Sequence, residues 1–124
     1  MKAAAIDGIA DKVKYGLLYS TPTIEQRAAI LLYDLIHEHC YSDGNKRIAF
    51  LSAVRFLAKN DRFLTGVELS SLIEFTMNVA SGKLSFREVE DYIGCNIKLG
   101  DYSTVSEFDS LIDFYDTVLR ALGE

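Results

Sequence analysis

The segment His37-Glu38-His39-Cys40-Tyr41-Ser42-Asp43-Gly44-Asn45-Lys46-Arg47 holds most of the chain's unusual polar chemistry. It combines a candidate base, a carboxylate, a turn glycine and two cations. A Gly-Asn pair that opens a helix leaves backbone N–H groups unpaired. Those groups and the helix dipole favour an anion. Lys46 and Arg47 add positive charge beside that terminus, and a guanidinium can grip phosphate oxygens in a bidentate way. Asp43 offers oxygen ligands of the kind that Mg²⁺ takes alongside substrate phosphates. His39, at the end of the preceding helix, could take a proton from a hydroxyl nucleophile. A base, a metal carboxylate and an anion cradle are the parts that phosphoryl-type transfer needs.

Other chemistries are open to the same side chains. His37, Glu38, His39 and Cys40 are of types that bind Zn²⁺. Adjacent residues on a helix point about 100° apart, however, so His39 and Cys40 do not converge. The same geometry disfavours a Cys–His nucleophile pair, which needs hydrogen-bond reach. Cys40 and Cys95 are expected to be small buried hydrophobes. A histidine by itself is more often a capping or surface residue, and it is the company of Asp43 to Arg47 that favours catalysis at His39. Arg55, Lys59 and Arg62 read first as a solvated face, and otherwise as an extension of the positive field around Lys46 and Arg47.

The elements that must position this segment are helices. Ile6, Ile9, Ala10, Val13 and Leu17 recur at three- and four-residue steps, which predicts a first helix ending near residues 16–20. Thr21-Pro22-Thr23 is a helix-start signal, and Thr23 with Gln26 has capping-box spacing. Ile24, Ala28, Leu31, Leu32, Leu35 and Ile36 then form one stripe, so a second helix is expected to run to about His39. Ser42, Asp43 and Gly44 are turn chemistry. A third helix carries Ile48, Leu51, Val54 and Leu57 and ends near Asn60. Thr65 with Glu68 suggests a capped fourth helix bearing Leu69, Leu72, Ile73, Thr76 and Val79 and stopping at Gly82. Ser85 with Glu88 repeats the signature before Phe86, Val89 and Ile93. Thr104 with Glu107 opens a last helix with the stripe Val105, Phe108, Leu111, Ile112, Tyr115, Val118, Leu119 and Leu122. Only Arg62-Phe63-Leu64 and Asn96-Ile97-Lys98-Leu99 read as short β candidates. The fold class is therefore all-α, a compact bundle of about six helices.

With 124 residues, 49% hydrophobic and 25% charged, the chain has the size and balance of one globular domain. Its net charge of −5 argues against a general nucleic-acid binder. The charge is uneven: residues 1–100 hold twelve acids and twelve bases, whereas residues 101–124 hold six acids and one base. Residues 45–62 hold five bases and one acid, so positive charge gathers from the motif onward. The last helix has a long apolar stripe and an acidic back of Asp109, Asp113 and Asp116. It is expected to pack onto the core or onto a second subunit, which makes a homodimer a candidate assembly. The 2 cysteines are too few for a small disulfide-built secreted domain. The N-terminus lacks the apolar run of a signal peptide, and no stretch approaches the ~20 residues of a membrane span. A cytoplasmic location with no membrane partner is expected.

His39 to Arg47 resembles the signature of the Fic/Doc family, H-x-F-x-D-(G/A)-N-(G/K)-R. His39, Asp43, Gly44, Asn45, Lys46 and Arg47 match outright, and Tyr41 stands for the usual Phe. The family sets this motif in the loop between two antiparallel core helices, where it falls here. Phe50 to Asn60 looks like the family's helix after the motif, and Leu69 to Ile93 resembles the tail of the Doc core. The resemblance covers roughly residues 20–94. It divides the chain into a Fic/Doc-like core, 1–94, and a C-terminal extension of the same domain, 95–124. Only 38 residues precede His39, fewer than in the family, so the flap that docks the target peptide by strand addition is expected to be missing. Ser103 to Glu107 has the spacing of the family's inhibitory motif, but Phe108 stands where Gly or Asn is required.

The family's AMP-transferases usually carry glycine after the Asn, and Doc-type toxins carry lysine, as Lys46 does here. There is also no second arginine three residues after Arg47, where Phe50 stands. The resemblance therefore implies a Doc-like toxin-type kinase. Such an enzyme transfers the γ-phosphate of ATP to a protein hydroxyl, on elongation factor Tu or a similar translation factor. It implies His39 as general base, Asp43 as the Mg²⁺ ligand, Asn45, Lys46 and Arg47 as phosphate holders, and Gly44 as the residue that allows the tight loop. The expected cofactors are ATP and Mg²⁺, and an antitoxin that covers the groove is an expected partner. AMP-transfer to a protein hydroxyl, and an idle Fic-fold module that binds nucleotide or a partner, are the alternatives.

Overall fold

The computed structural model describes residues 3–15, 22–38, 44–65, 67–100 and 105–123. Among these residues there are six helices and one two-stranded antiparallel sheet. In chain order they are α1 (Ala3–Tyr15), α2 (Ile24–His37), α3 (Asn45–Lys59), β1 (Arg62–Leu64), α4 (Leu69–Ala80), α5 (Phe86–Asn96), β2 (Ile97–Leu99) and α6 (Val105–Leu122). The all-α class read from the stripes holds.

The helix ends follow local chemistry. Thr23 caps α2, its Oγ1 accepting from the backbone N–H of Gln26 at 3.0 Å. Ser85 and Glu88 form a complete capping box on α5, each side chain accepting from the other residue's backbone N–H. α4 ends in a Schellman arrangement. Gly82 sits at φ +78°, the N–H of Lys83 reaches the carbonyl of Asn78, and that of Gly82 reaches Val79. The Thr65 box is a correction: α4 starts at Leu69 with Glu68 as its N-cap and no side-chain cap bond. Thr104 lies outside the described residues, as do Thr21, His39 and the turn residues 40–43.

α2 is the central element, packed against α1, α3, α4 and α5. It can be central because much of it is buried: Ala28, Ala29, Ile30, Leu32, Leu35 and Ile36. The two alanines at 0% exposure leave room for neighbouring helices to approach closely. α3 closes the other side of a helical hairpin, burying Ala49, Phe50, Ala53, Val54 and Leu57. Its stripe differs from the one read at the sequence level. Leu51 is 49% exposed, because the buried arc of α3 is centred on Phe50, Ala53 and Leu57 and Leu51 falls beyond its edge.

Two elements beyond the hairpin brace it. β1 pairs with β2 in the register Arg62↔Leu99, Phe63↔Lys98, Leu64↔Ile97. Asp61, with φ +58°, makes the turn into β1, and its carbonyl accepts from the N–H of Gly100 at 3.2 Å. α6 packs on α3 and α4, with Val118 and Leu122 almost fully buried in the shared core. Cys95 is exposed rather than buried, a second correction. The inward positions of α5 are Val89 and Ile93, and a residue two steps past Ile93 points about 200° around the helix, to the outside. Cys40 lies outside the described residues.

Candidate active site

α2 and α3 bring the two ends of the polar segment together as the two ends of a hairpin turn. α2 stops at His37, and Glu38 caps it with its N–H on the carbonyl of Asp34. α3 starts after Gly44, which holds φ +72° and ψ +15° in the left-handed region. A glycine adopts that conformation without the clash that a Cβ meets with the following carbonyl. It also brings no side chain to cap the helix. The carbonyl of Gly44 accepts from Ile48, which closes the first turn. By helix geometry the N–H groups of the first turn have no acceptor within the helix. Those of Lys46 and Arg47 find no acceptor among the described residues.

The cations stand at this same end. Lys46 is half-buried and Arg47 exposed, both in the first turn of α3. A groove of about 280 Å³ opens beside them, lined by Gly44, Arg47, Ile48, Leu51 and Leu119. One side is thus polar and positive, and the other is aliphatic. The first-turn N–H groups, the helix dipole and Arg47 fit a phosphate anion, so Gly44 to Arg47 suit the phosphate part of a nucleotide. His39 and Asp43 lie outside the described residues.

His37 does other work. Its ring packs on Tyr33 with centroids 4.2 Å apart, and Tyr33 meets Phe86 of α5 edge-on at 5.7 Å. The imidazole thus backs Tyr33, and it is Tyr33 that meets α5. Among the described residues no group of three His, Cys, Asp or Glu side chains converges to hold a metal ion. Arg55 and Lys59 are exposed, while Arg62 donates to the carbonyl of Asn60 at 2.7 Å. Leu119 is the lining residue that the sequence did not announce. It belongs to the apolar stripe of α6, and the stripe gives no hint that one member ends at the mouth of α3.

The fold and this site together define an all-α domain whose central hairpin presents a positively charged helix N-terminus in a groove. The Fic/DOC family model matches residues 5–57, which run from α1 through the whole polar segment to Leu57 of α3. The match bears out the Fic/Doc resemblance carried by His39 to Arg47, and supports a Fic-type protein-modifying function in general terms. No curated protein and no solved structure matches the chain. No described helix is long and apolar enough to cross a membrane.

Proposed function

We propose that the chain is a Doc-like protein kinase that transfers the γ-phosphate of ATP to a hydroxyl of a target protein. The observation that carries this reading is the opening of α3: a left-handed, uncapped Gly44 followed in the first turn by Lys46 and Arg47, with Arg47 on the wall of a groove. Lysine rather than glycine after Asn45 is the feature that favours phosphate transfer over AMP transfer within the Fic/Doc resemblance.

In this reading ATP supplies the transferred phosphoryl group, with Mg²⁺ on the Asp43 carboxylate to offset its charge. The first-turn N–H groups of α3 and the Arg47 guanidinium hold phosphate oxygens and fix their direction. Gly44 keeps the entry to the helix open to them. His39 would accept, at a ring nitrogen, the proton that the target hydroxyl gives up as its oxygen bonds to the γ-phosphorus, while the bond from that phosphorus to the β–γ bridging oxygen breaks and ADP leaves. A translation factor such as elongation factor Tu is the target class, an antitoxin a second partner, and the cytoplasm the setting.

The test is incubation of the protein with a cell extract and ATP labelled on either the α- or the γ-phosphate. Protein-bound label from γ alone, lost in His39→Ala, is the expected result. Label from α moves the activity to AMP transfer. No transfer from either position, with no growth arrest on expression, leaves a binding module in place of an enzyme.

A further inference from the structure

α3 and α6 each leave one face uncovered, and the two faces carry opposite charge. On α3, Arg47, Leu51, Arg55 and Lys59 follow one another at four-residue steps, and all four are exposed. The line is about 18 Å long. On α6, Asp109, Ile112, Asp113 and Asp116 are exposed. Asp109 and Asp116 are about 10 Å apart along the axis, close to the rise of about 12 Å between Arg47 and Arg55. Among the described residues, Arg47, Arg55, Lys59, Asp109 and Asp113 form no ion pair. Asp116 pairs only with Arg120 of its own helix, at 2.8 Å.

The two faces border one another. Arg47 and Leu51 of α3 and Leu119 of α6 line the same groove. Ile112 lies seven residues before Leu119, hence within about 20° of it around the helix, with the aspartates on its flank. Leu51 at 49% and Ile112 at 47% are among the few large apolar side chains left open to solvent. The surface is therefore basic on one side, acidic on the other, and apolar between.

We propose that this surface is a two-fold interface between two copies of the chain, α3 of each copy lying along α6 of the other. A two-fold rotation sets the basic side of each copy over the acidic side of the other, because residue i meets residue j and j meets i. Arg55 and Lys59 face Asp109 and Asp113 of the second copy, twice over, and Leu51 and Ile112 are covered between them. The cations alone would also suit a nucleic acid, but Asp109, Asp113 and Asp116 are exposed on α6, the helix whose Leu119 shares the groove with Arg47, and they disfavour an extended phosphate backbone laid across both helices. The interface goes beyond the transferase reading and does not rest on it, but because it covers Leu51 on the wall of the groove beside Arg47, the dimer would close the site of that reading.

The test is sedimentation of the full chain over a range of concentrations at low and high salt. A dimer at low salt is expected, its dissociation constant rising about tenfold or more at high salt, since rim ion pairs are screened. Arg55→Glu with Lys59→Glu, and separately Asp109→Lys with Asp113→Lys, each weaken it by about tenfold or more. Mixing the two charge-reversed proteins restores a dimer, one copy of each. All four positions are exposed, so circular dichroism should show native helix content in both variants. A monomer at every concentration overturns the proposal, including one that instead gathers on a polyanion such as an RNA homopolymer. A dimer indifferent to salt, or a mixture that stays monomeric, overturns it as well.

Discussion

The hydroxyl of Tyr115, on α6, donates to the backbone carbonyl of Leu64, at the end of β1, at 3.1 Å. The same ring stands edge-on to Phe50 of α3, with centroids 5.8 Å apart. One side chain thus ties the last helix both to the strand and to the helix that carries Lys46 and Arg47. The family match ends at Leu57, so the ring contact with Phe50, and not the bond to Leu64, links the family-like hairpin to residues outside it. Replacing Tyr115 by Phe is expected to cost about 1 kcal/mol, the usual net value of one hydrogen bond. Replacement by Ala is expected to cost about 3 kcal/mol, because the ring contact with Phe50 is lost too. Urea unfolding measures both, and an Ala variant as stable as the parent would show that α6 is not integral to the fold.

Gly44 is held in the left-handed region, but a Cβ there would meet only Ile48 Cδ1, at 3.9 Å, an ordinary contact. The cost of Gly44→Ala is then conformational, about 1 kcal/mol, and Gly44→Asn should cost less because Asn visits that region more readily. Equilibrium unfolding of the two variants should rank them in that order. A larger loss in Asn than in Ala would mean that side-chain crowding, not backbone angle, governs the start of α3.

Arg47 is exposed and packs little, so Arg47→Ala should leave the melting temperature within about 1 °C of the parent. Loss of its charge-assisted bonds should weaken binding of inorganic triphosphate by about tenfold or more. Titration calorimetry with triphosphate reads this directly. Undiminished binding would remove Arg47 from the anion site.

The capping box on α5 is a local device with a local cost. Ser85→Ala and Glu88→Ala should each destabilise by about 1 kcal/mol or less. In the double variant the losses should sum to less than the two single values, since each single change already breaks part of one reciprocal pair. Strict additivity in a double-mutant cycle would contradict the reciprocal bonding between Ser85 and Glu88.

Much of the hairpin was legible in the residues themselves. The three- and four-residue spacing of apolar side chains marks α2 and α6. Ser85 with Glu88, Thr23 before Ile24, and Gly82 after Ala80 mark helix ends, because each satisfies backbone groups within a few residues of itself. The positively charged start of α3 was legible for the same reason: Gly44, Lys46 and Arg47 act on the helix start beside them. Where the reading erred, the decision lay elsewhere in space. Thr65 has the spacing of a cap, yet α4 begins only after Glu68, as the chain leaves β1. Cys95 and Leu51 fell on outer arcs that no short-range pattern distinguishes from inner ones.

The sequence alone determined helix identity, most helix ends and the chemistry gathered at Gly44 to Arg47, since these depend on side chains one or two turns apart. Only the tertiary structure decided that β1 pairs with β2 across more than thirty residues, that Tyr115 bonds to Leu64, and that Leu119 ends beside Arg47. Those contacts arise from how the buried faces of α2, α3, α4 and α6 stack. Packing of that kind sets which parts of distant segments meet, and leaves little trace in the spacing of either segment alone.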